Sequence, residues 1–259
     1  TLPLDANMQI MAKFEIGDGN FDIEVGVDPD YEALEMKVGS YINAEGKVVR
    51  DAADAVGIVF KMEAIGSDVP ANYPVALQGK TIAGYAVAIE NVATGRQVLN
   101  NAAMSSLVTT DATVTNGTQA TDALLTGIGE VAFMTTYNSW VNEHPLDGES
   151  LSSWYIPTVD QLGEFMGMLF KIGEVEPTGG QAFREMPEFA FENGVMFDRD
   201  PIESVYYASC TVNGSKDISG VIINVDKTTK QVLDAKASSL KVTGSSQKAL
   251  CRPMITIFK

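Results

Sequence analysis

The chain has 259 residues, a net charge of −16 at pH 7 and 45% hydrophobic residues, a share that is normal for a globular protein with a sizeable core. The acidity argues against nucleic-acid and anionic-membrane partners, since both require a basic patch. No stretch approaches the ~18–20 apolar residues of a membrane-spanning helix.

The chain opens with an alternating pattern that predicts a β-hairpin. Residues 8–16 and 21–27 alternate between apolar and polar types, and residues 17–20 (Gly-Asp-Gly-Asn) have the composition of a tight turn. Acidic and amide oxygens in this turn make a calcium loop conceivable. The turn lacks the EF-hand pattern and its distal glutamate, so an ordinary turn is favoured.

Further strands are predicted in the next third of the chain. A strand pair begins near Tyr41 and turns at 43–46, and residues 56–62 form a near-continuous apolar run that suits a strand buried on both faces. Residues 85–89 predict another strand. Residues 94–121 have weak periodicity and predict a long ordered loop.

The periodicity then changes to that of helices. Apolar residues recur every three or four positions over 119–141, which predicts one amphipathic helix with Thr118 or Thr121 as its N-cap, despite Gly127 and Gly129.

A second helix is predicted over 159–171, where Thr158 and Gln161 have capping-box spacing and a Met and Phe stripe supplies the core face. Residues 173–203 are rich in Pro and Gly and predict an irregular excursion. Three strands are then predicted, at 205–211, 220–226 and 250–258. Strands that cluster early and late, with two helices between them, indicate an α+β domain whose ends pair in one sheet. We expect the strand at 250–258 to pair with a strand from the first half of the chain, foremost the one at 56–62.

Several short motifs resemble a known family. The motifs are Gly57-Ile58-Val59-Phe60, Trp154-Tyr155-Ile156-Pro157-Thr158 with Leu162, Tyr206-Tyr207-Ala208-Ser209, and Arg252-Pro253. In this order and rough spacing, the segment from about Gly39 to Lys259 resembles the Fibrobacter major paralogous domain of Bacteroidetes surface and secreted proteins. The sequence departs from the family in the third motif, where the family has a Trp-Ser-Ser core.

The resemblance implies a C-type-lectin-like fold, with two helices flanking a mostly antiparallel sheet and a loop-rich second half. The chain would then divide into an N-terminal hairpin extension (1–38) and a C-type-lectin-like domain (39–259). The resemblance also implies a location at the cell envelope, on the outer-membrane surface or secreted, as a lipoprotein or adhesin-like module. It brings no mapped active site, and the calcium-dependent sugar-binding motifs of animal lectins are absent from the sequence.

The two cysteines, Cys210 and Cys251, each lie at one end of a predicted apolar strand. The resembled fold places both strands in its sheet region, so we expect the cysteines to be adjacent and joined by a disulfide, which an envelope location would preserve. The bond would close a loop of roughly forty residues and contribute up to about 4 kcal/mol. Two buried thiols are the alternative.

Enzymatic chemistry finds little support in the sequence. His144 is the only histidine, in a polar loop without a nucleophile elbow, so no catalytic residue is assigned. Zinc ligands at suitable spacing are absent, and no cofactor is expected. Calcium is the one metal for which oxygen ligands are available, at Asn142, Glu143, Asp147 and Glu149, although short acidic loops are usually only solvated.

Exposed aromatic rings are the remaining candidates for ligand binding. Trp140, Trp154 and Tyr155 could form a stacking platform for a sugar, yet the two tryptophans lie where a helix and a strand would face the core, which favours their burial. The leading hypothesis is a non-enzymatic surface module that binds a glycan or a cell-surface protein. The alternative is a carbohydrate-active hydrolase whose carboxylate pair is hidden among the 34 acidic residues.

Overall fold

The structure is a computed structural model that describes residues 10–16, 21–27, 34–97, 116–128, 132–169, 195–199, 202–212, 218–226, 228, 232–240 and 248–259. Its architecture is α+β, as predicted, with antiparallel sheets and few helices.

The elements are numbered here in chain order. The strands are β1 (Ile10–Ile16), β2 (Phe21–Val27), β3 (Tyr41–Ile42), β4 (Val48–Val49), β5 (Gly57–Lys61), β6 (Ile82–Ala88), β7 (Val92–Gln97), β8 (Val195–Arg199), β9 (Ile202–Val212), β10 (Ile218–Asp226), β11 (Val232–Leu240), β12 (Lys248–Cys251) and β13 (Met254–Phe258). The helices are α1 (Val75–Gln78), α2 (Gly117–Ile128), α3 (Ala132–Glu143) and α4 (Val159–Leu169). Short 3-10 turns occupy Ala52–Asp54 and Pro70–Asn72.

Two large sheets surround the core. A five-stranded antiparallel sheet has the order β4-β3-β5-β6-β13, and a six-stranded sheet has the order β11-β10-β9-β12-β7, with β8 also paired to β9. Among the described strands, only β9 and β12 pair in parallel. Helix α4 contacts β5 of the first sheet and β9, β10 and β11 of the second, so its apolar stripe is buried between them. The Met and Phe stripe is therefore core, as predicted; Phe165 and Met166 are each 1% exposed.

The chain passes between the two sheets twice at one corner. Strands β6 and β13 pair in the first sheet, and their continuations β7 and β12 pair in the second. At the corner the fully buried Arg252 donates from Nη1 to the Ala88 carbonyl (3.0 Å), and the Ala88 N–H donates to the Pro253 carbonyl (2.9 Å). Burial lowers the pKa of the Arg252 guanidinium, while Tyr207 and Glu90 favour its charged form.

This corner corrects one expectation and refines another. The predicted strand at 250–258 is two strands, because Pro253 has no N–H to donate and the chain turns there. We expected the C-terminal strand to pair with the first half of the chain, which is confirmed, but its partner is β6 rather than the strand at 56–62. That strand, β5, lies one position further into the sheet.

The helical region also differs from expectation. The predicted helix over 119–141 is described as two helices, α2 (Gly117–Ile128) and α3 (Ala132–Glu143), and residues 129–131 lie outside the described residues. The N-cap of α2 is Asn116, whose Oδ1 accepts from Gln119 N–H (2.8 Å), so the predicted caps Thr118 and Thr121 are wrong. Both threonines lie inside the helix.

The other predicted elements divide between confirmed and corrected ones. The hairpin forms with Ile10 opposite Val27 and Ile16 opposite Phe21, and the capping box of α4 is present in both directions: Thr158 Oγ1 accepts from Gln161 N–H (3.2 Å), and Gln161 Oε1 accepts from Thr158 N–H (3.1 Å). Within the predicted loop at 94–121, residues 94–97 belong to β7 and residues 117–121 to α2, whereas 98–115 lie outside the described residues. The predicted excursion at 173–203 is described only at 195–199, which form β8, and at 202–203, which begin β9. Strand β11 was not predicted. The domain division at residue 38 stays a prediction.

Candidate functional site

The most concentrated polar chemistry in the described residues is a buried hydrogen-bond network around Asp68. The carboxylate is 3% exposed. Its Oδ2 accepts from the hydroxyls of Tyr73 (2.5 Å) and Tyr85 (2.7 Å), and its Oδ1 accepts from Asn116 Nδ2 (2.9 Å). The network continues from Tyr73 to Thr256 Oγ1 (2.8 Å), from Thr256 to the Tyr155 hydroxyl (3.0 Å), and from Tyr155 to Gln161 Nε2 (3.2 Å). We call these seven residues the Asp68 network.

The hydrogen bonds of this network all run in one direction, with each group donating to the next one on the way to the Asp68 carboxylate. A carboxylate only accepts, so the hydroxyl hydrogen of Tyr73 is committed to Asp68. Thr256 must then donate to Tyr73, and Tyr155 must donate to Thr256. Gln161 Nε2 donates to Tyr155, while its Oε1 completes the capping box of α4. A single chain of aligned donors thus runs from the start of α4 to the buried charge, where each bond polarises the next.

Burial keeps the phenols of the network neutral. It raises the pKa of Tyr73, and the charge of Asp68, which accepts a hydrogen bond from the Tyr73 hydroxyl, raises that pKa further. It also raises the pKa of Tyr85, with Asp68 as the second cause, and that of the fully buried Tyr155. The three tyrosines therefore act as hydrogen-bond donors at neutral pH.

The Asp68 network joins distant parts of the chain. Thr256 lies on β13, Tyr85 on β6, Asn116 at the start of α2 and Gln161 in the first turn of α4. Asp68 is the only buried carboxylate among the residues whose burial is described, and three donors occupy it. A hydrolase of the kind considered above uses two carboxylates that reach a substrate. The geometry at Asp68 instead holds elements together.

The predicted aromatic platform is buried. Trp140 is 6%, Trp154 5% and Tyr155 0% exposed, so none of the three presents a ring face for a sugar. The two tryptophan rings meet edge to face, with centroids 5.1 Å apart. Tyr155 belongs to the Asp68 network. The structure therefore places all three residues in the core, as was predicted for the two tryptophans.

His144 lies at the partly exposed edge of this tryptophan pair. Its ring stacks on Trp140 with centroids 4.2 Å apart, its Nε2 is 2.9 Å from Glu90 Oε1, and its Nδ1 is 2.7 Å from the Trp140 carbonyl. Trp140 Nε1 also donates to Glu90 Oε1 (2.9 Å), and Trp154 Nε1 donates to the His144 carbonyl (2.8 Å). Carboxylate and carbonyl oxygens are only acceptors, so each ring nitrogen of His144 faces an acceptor. The cluster anchors the end of α3 to the corner between the sheets.

Cys210 and Cys251 are both completely buried thiols, and no disulfide joins them. The predicted disulfide is thus not formed, and the alternative of two buried thiols describes the structure. Both belong to the same hydrophobic cluster. Burial raises the pKa of the Cys210 thiol to about 12, and that of Cys251 is raised as well.

The candidate calcium ligands are not gathered into a site. Asn142, Glu143, Asp147 and Glu149 are all exposed, and no cluster of three or more potential metal ligands occurs among the described residues. The turn at 17–20 lies outside the described residues.

One open groove of about 430 Å³ lies at the outer edge of the five-stranded sheet. Its walls come from residues 34, 35, 37, 39–41 and 48–50, and include Leu34, Tyr41, Val48 and two cations, Lys37 and Arg50. Neighbouring Val38 is 42% exposed. Sequence reasoning missed both this groove and Asp68, because neither has a motif; the one local signal was the pair of cations in a strongly acidic chain.

Comparison with known proteins supplies no further assignment. No family model, curated protein or solved structure matches the chain. Among the described residues, no helix is both long enough and apolar enough to cross a membrane.

Proposed function

We propose that the protein is a non-enzymatic module of a cell-envelope or surface assembly that binds a glycan or protein partner through the groove at residues 34–50. The observation that carries the proposal is the groove itself. It is open to solvent, combines apolar walls with Lys37 and Arg50, and borders a sheet edge. Apolar walls with a few convergent polar groups are typical of binding sites.

The chemistry of the groove suits binding better than catalysis. Glu35 is the one carboxylate among its lining residues, so the groove does not offer the pair that glycoside hydrolysis requires. The polar networks elsewhere, around Asp68 and Glu90, are engaged in joining secondary-structure elements.

The envelope location and the C-type-lectin-like fold are proposed from the family resemblance. Its motifs occupy positions that matter physically in this chain: Tyr155 is part of the Asp68 network, Thr158 caps α4, and Arg252 occupies the corner between the sheets. The five-stranded sheet contains both the C-terminal strand β13 and β3, which lies near the start of the proposed domain, so these two regions share one sheet.

A glycan and polysaccharide array probed with the purified chain tests the function. We expect binding by the original sequence, loss of that binding in Lys37→Glu, and retention in Lys236→Glu. The control makes the same charge change at an exposed position on β11. A second array, of cell-surface proteins, covers the protein partner.

Catalysis is tested with the same material. Time-dependent release of reducing ends from an array polysaccharide would contradict the proposal and favour the hydrolase. If neither array binds the chain, or if both variants bind equally well, the groove is not the site.

A further inference from the structure

The register of the N-terminal hairpin gives it one apolar face and one polar face. Apolar positions lie opposite apolar positions, at Ile10↔Val27, Ala12↔Val25, Phe14↔Ile23 and Ile16↔Phe21. Alternate residues of a strand share a face, so these eight positions belong to the same face of the hairpin. The opposite face has the charged pairs Lys13↔Glu24 and Glu15↔Asp22. A two-stranded hairpin is at best marginally stable alone in water, and this one needs a surface to cover its apolar face.

The groove is the apolar surface that lies closest to the hairpin along the chain. Strand β2 ends at Val27, and Leu34 already lines the groove. The chain between these two residues spans at most about 25 Å, even when it is fully extended. A tether of this length holds the hairpin beside the groove at an effective concentration in the millimolar range. A second copy in a micromolar solution is far more dilute, so the chain's own hairpin is favoured as the occupant.

The sheet edge beside the groove is also open to a further strand. Among the described strands, β4 pairs only with β3, so the other side of β4 has backbone groups that a strand can pair with. The opposite edge of the sheet, at β13, is covered by residues 150–155. These exchange backbone hydrogen bonds with it, such as Ser152 N–H to the Thr256 carbonyl (2.9 Å). Val38, next to the groove, is 42% exposed and adds to the apolar surface at the open edge.

We infer that the N-terminal hairpin is an internal occupant of the groove. In the absence of a partner, β2 lies alongside β4 and continues the five-stranded sheet, and the apolar face of the hairpin covers the apolar wall of the groove. A partner that binds in the groove must then displace the hairpin, which lowers the apparent affinity for that partner. The inference rests on the proposed function, since it takes the groove as the binding surface and names what regulates access to it.

Hydrogen exchange of the full chain, followed by mass spectrometry of a peptide that covers residues 44–51, tests the inference. This peptide contains β4. We expect its protection to be the same at all protein concentrations, because the contact forms within one chain. Val25→Pro breaks β2, since proline has no N–H and is not tolerated within a paired strand. Exchange in 44–51 should then become at least about fivefold faster.

A second variant leaves every described residue unchanged. About twenty Gly and Ser residues inserted within 28–33 should lower the protection of 44–51 by up to about sevenfold, because effective concentration falls as the −3/2 power of tether length. The control Val75→Pro makes the proline substitution at the exposed first residue of α1, where proline is tolerated, and should leave exchange in 44–51 unchanged.

Two results would overturn the inference. One is exchange in 44–51 that neither Val25→Pro nor the longer tether changes. The other is protection that rises with protein concentration, which would make a second copy the occupant.

The arrays separate this outcome from that of the proposed function. Val25→Pro should bind the array partner more tightly than the original chain, because its groove is free. If Lys37→Glu abolishes array binding while Val25→Pro leaves exchange in 44–51 unchanged, the proposed function stands and the hairpin is wrong as the occupant. If Val25→Pro speeds exchange but array binding does not depend on Lys37, the groove holds the hairpin and the partner site is wrong.

Discussion

Replacing Asp68 with Asn should destabilise the protein by about 3 kcal/mol, although the two side chains have the same shape. The carboxylate accepts from two hydroxyls at one oxygen and from Asn116 Nδ2 at the other. An amide at position 68 has one acceptor and one donor group, so a donor must face a donor on one side. Asn116 cannot rotate to help, because its Oδ1 caps α2.

The magnitude follows from the bonds that are lost. A hydrogen bond to a charged group contributes about 1.5–3 kcal/mol, and a buried donor without a partner costs about 1–3 kcal/mol. In Asp68→Asn the bond from Asn116 is lost and the bonds from the two tyrosines are weakened, which gives the expected loss of about 3 kcal/mol. It is a large part of the roughly 5–15 kcal/mol by which domains are stable. The matched control, Asp54→Asn at an exposed position, should change stability by less than about 0.5 kcal/mol.

A swap of the two residues tests the donor accounting itself. Asn116→Asp alone should cost at least as much as Asp68→Asn, because it places two carboxylates within hydrogen-bonding distance in the core. The double variant that carries both Asp68→Asn and Asn116→Asp should lose less than half of the stability that the two single substitutions lose in sum. The amide oxygen at position 68 then accepts from both tyrosines, its NH₂ donates to the new carboxylate, and that carboxylate can still cap α2.

Urea unfolding, followed by the fluorescence of the buried tryptophans, measures these differences. A loss below about 1 kcal/mol for Asp68→Asn would refute the reasoning. So would additivity of the two substitutions, because residues in one hydrogen-bond network should be coupled.

Three further predictions follow from the same packing. The three tyrosines of the Asp68 network have raised pKa values in the folded chain. The free energy of unfolding should therefore be unchanged below about pH 10 and fall above it, by up to about 1.4 kcal/mol per pH unit for each tyrosine. Urea midpoints measured from pH 8 to 11 check this, and a flat profile contradicts it. Both thiols should be unreactive towards a disulfide reagent in the folded chain, because both are buried and the pKa of Cys210 is raised to about 12. Both should react after the chain is denatured without reductant. If no reactive thiol is found after denaturation, the cysteines form a disulfide instead. Gly117→Ala should destabilise the fold by more than about 2 kcal/mol, because the added Cβ would lie 2.3 Å from the Tyr155 ring. Gly163→Ala in α4 places its Cβ in open space and should stabilise the fold by up to about 1 kcal/mol. Equal shifts in melting temperature for the two variants would contradict this.

Local patterns predicted the elements whose determinants lie within a few residues of one another. The hairpin at 10–27 followed from alternation around a turn, and the start of α4 followed from Thr158 and Gln161, which bond to each other across three positions. These interactions form between neighbours in the chain, so the sequence carries their full signal.

Elements whose ends depend on distant residues were predicted less well. The Thr residues near the start of α2 looked like caps, but Asn116 is held in place by Asp68, 48 residues away, and also caps the helix. The C-terminal strand looked continuous, but Arg252 and Pro253 turn it between two sheets through bonds to Ala88.

The sequence by itself determined the α+β class, the capping box, the core stripe of α4 and the acidity of the surface, since composition and short-range periodicity decide these. The tertiary structure alone decided that Asp68 is buried beneath three donors, that Trp140, Trp154 and Tyr155 belong to the core, that the cysteines are thiols, and that two cations border an open groove. Burial and hydrogen bonding at those positions depend on residues brought together from opposite ends of the chain, and no local pattern specifies which distant segments will meet.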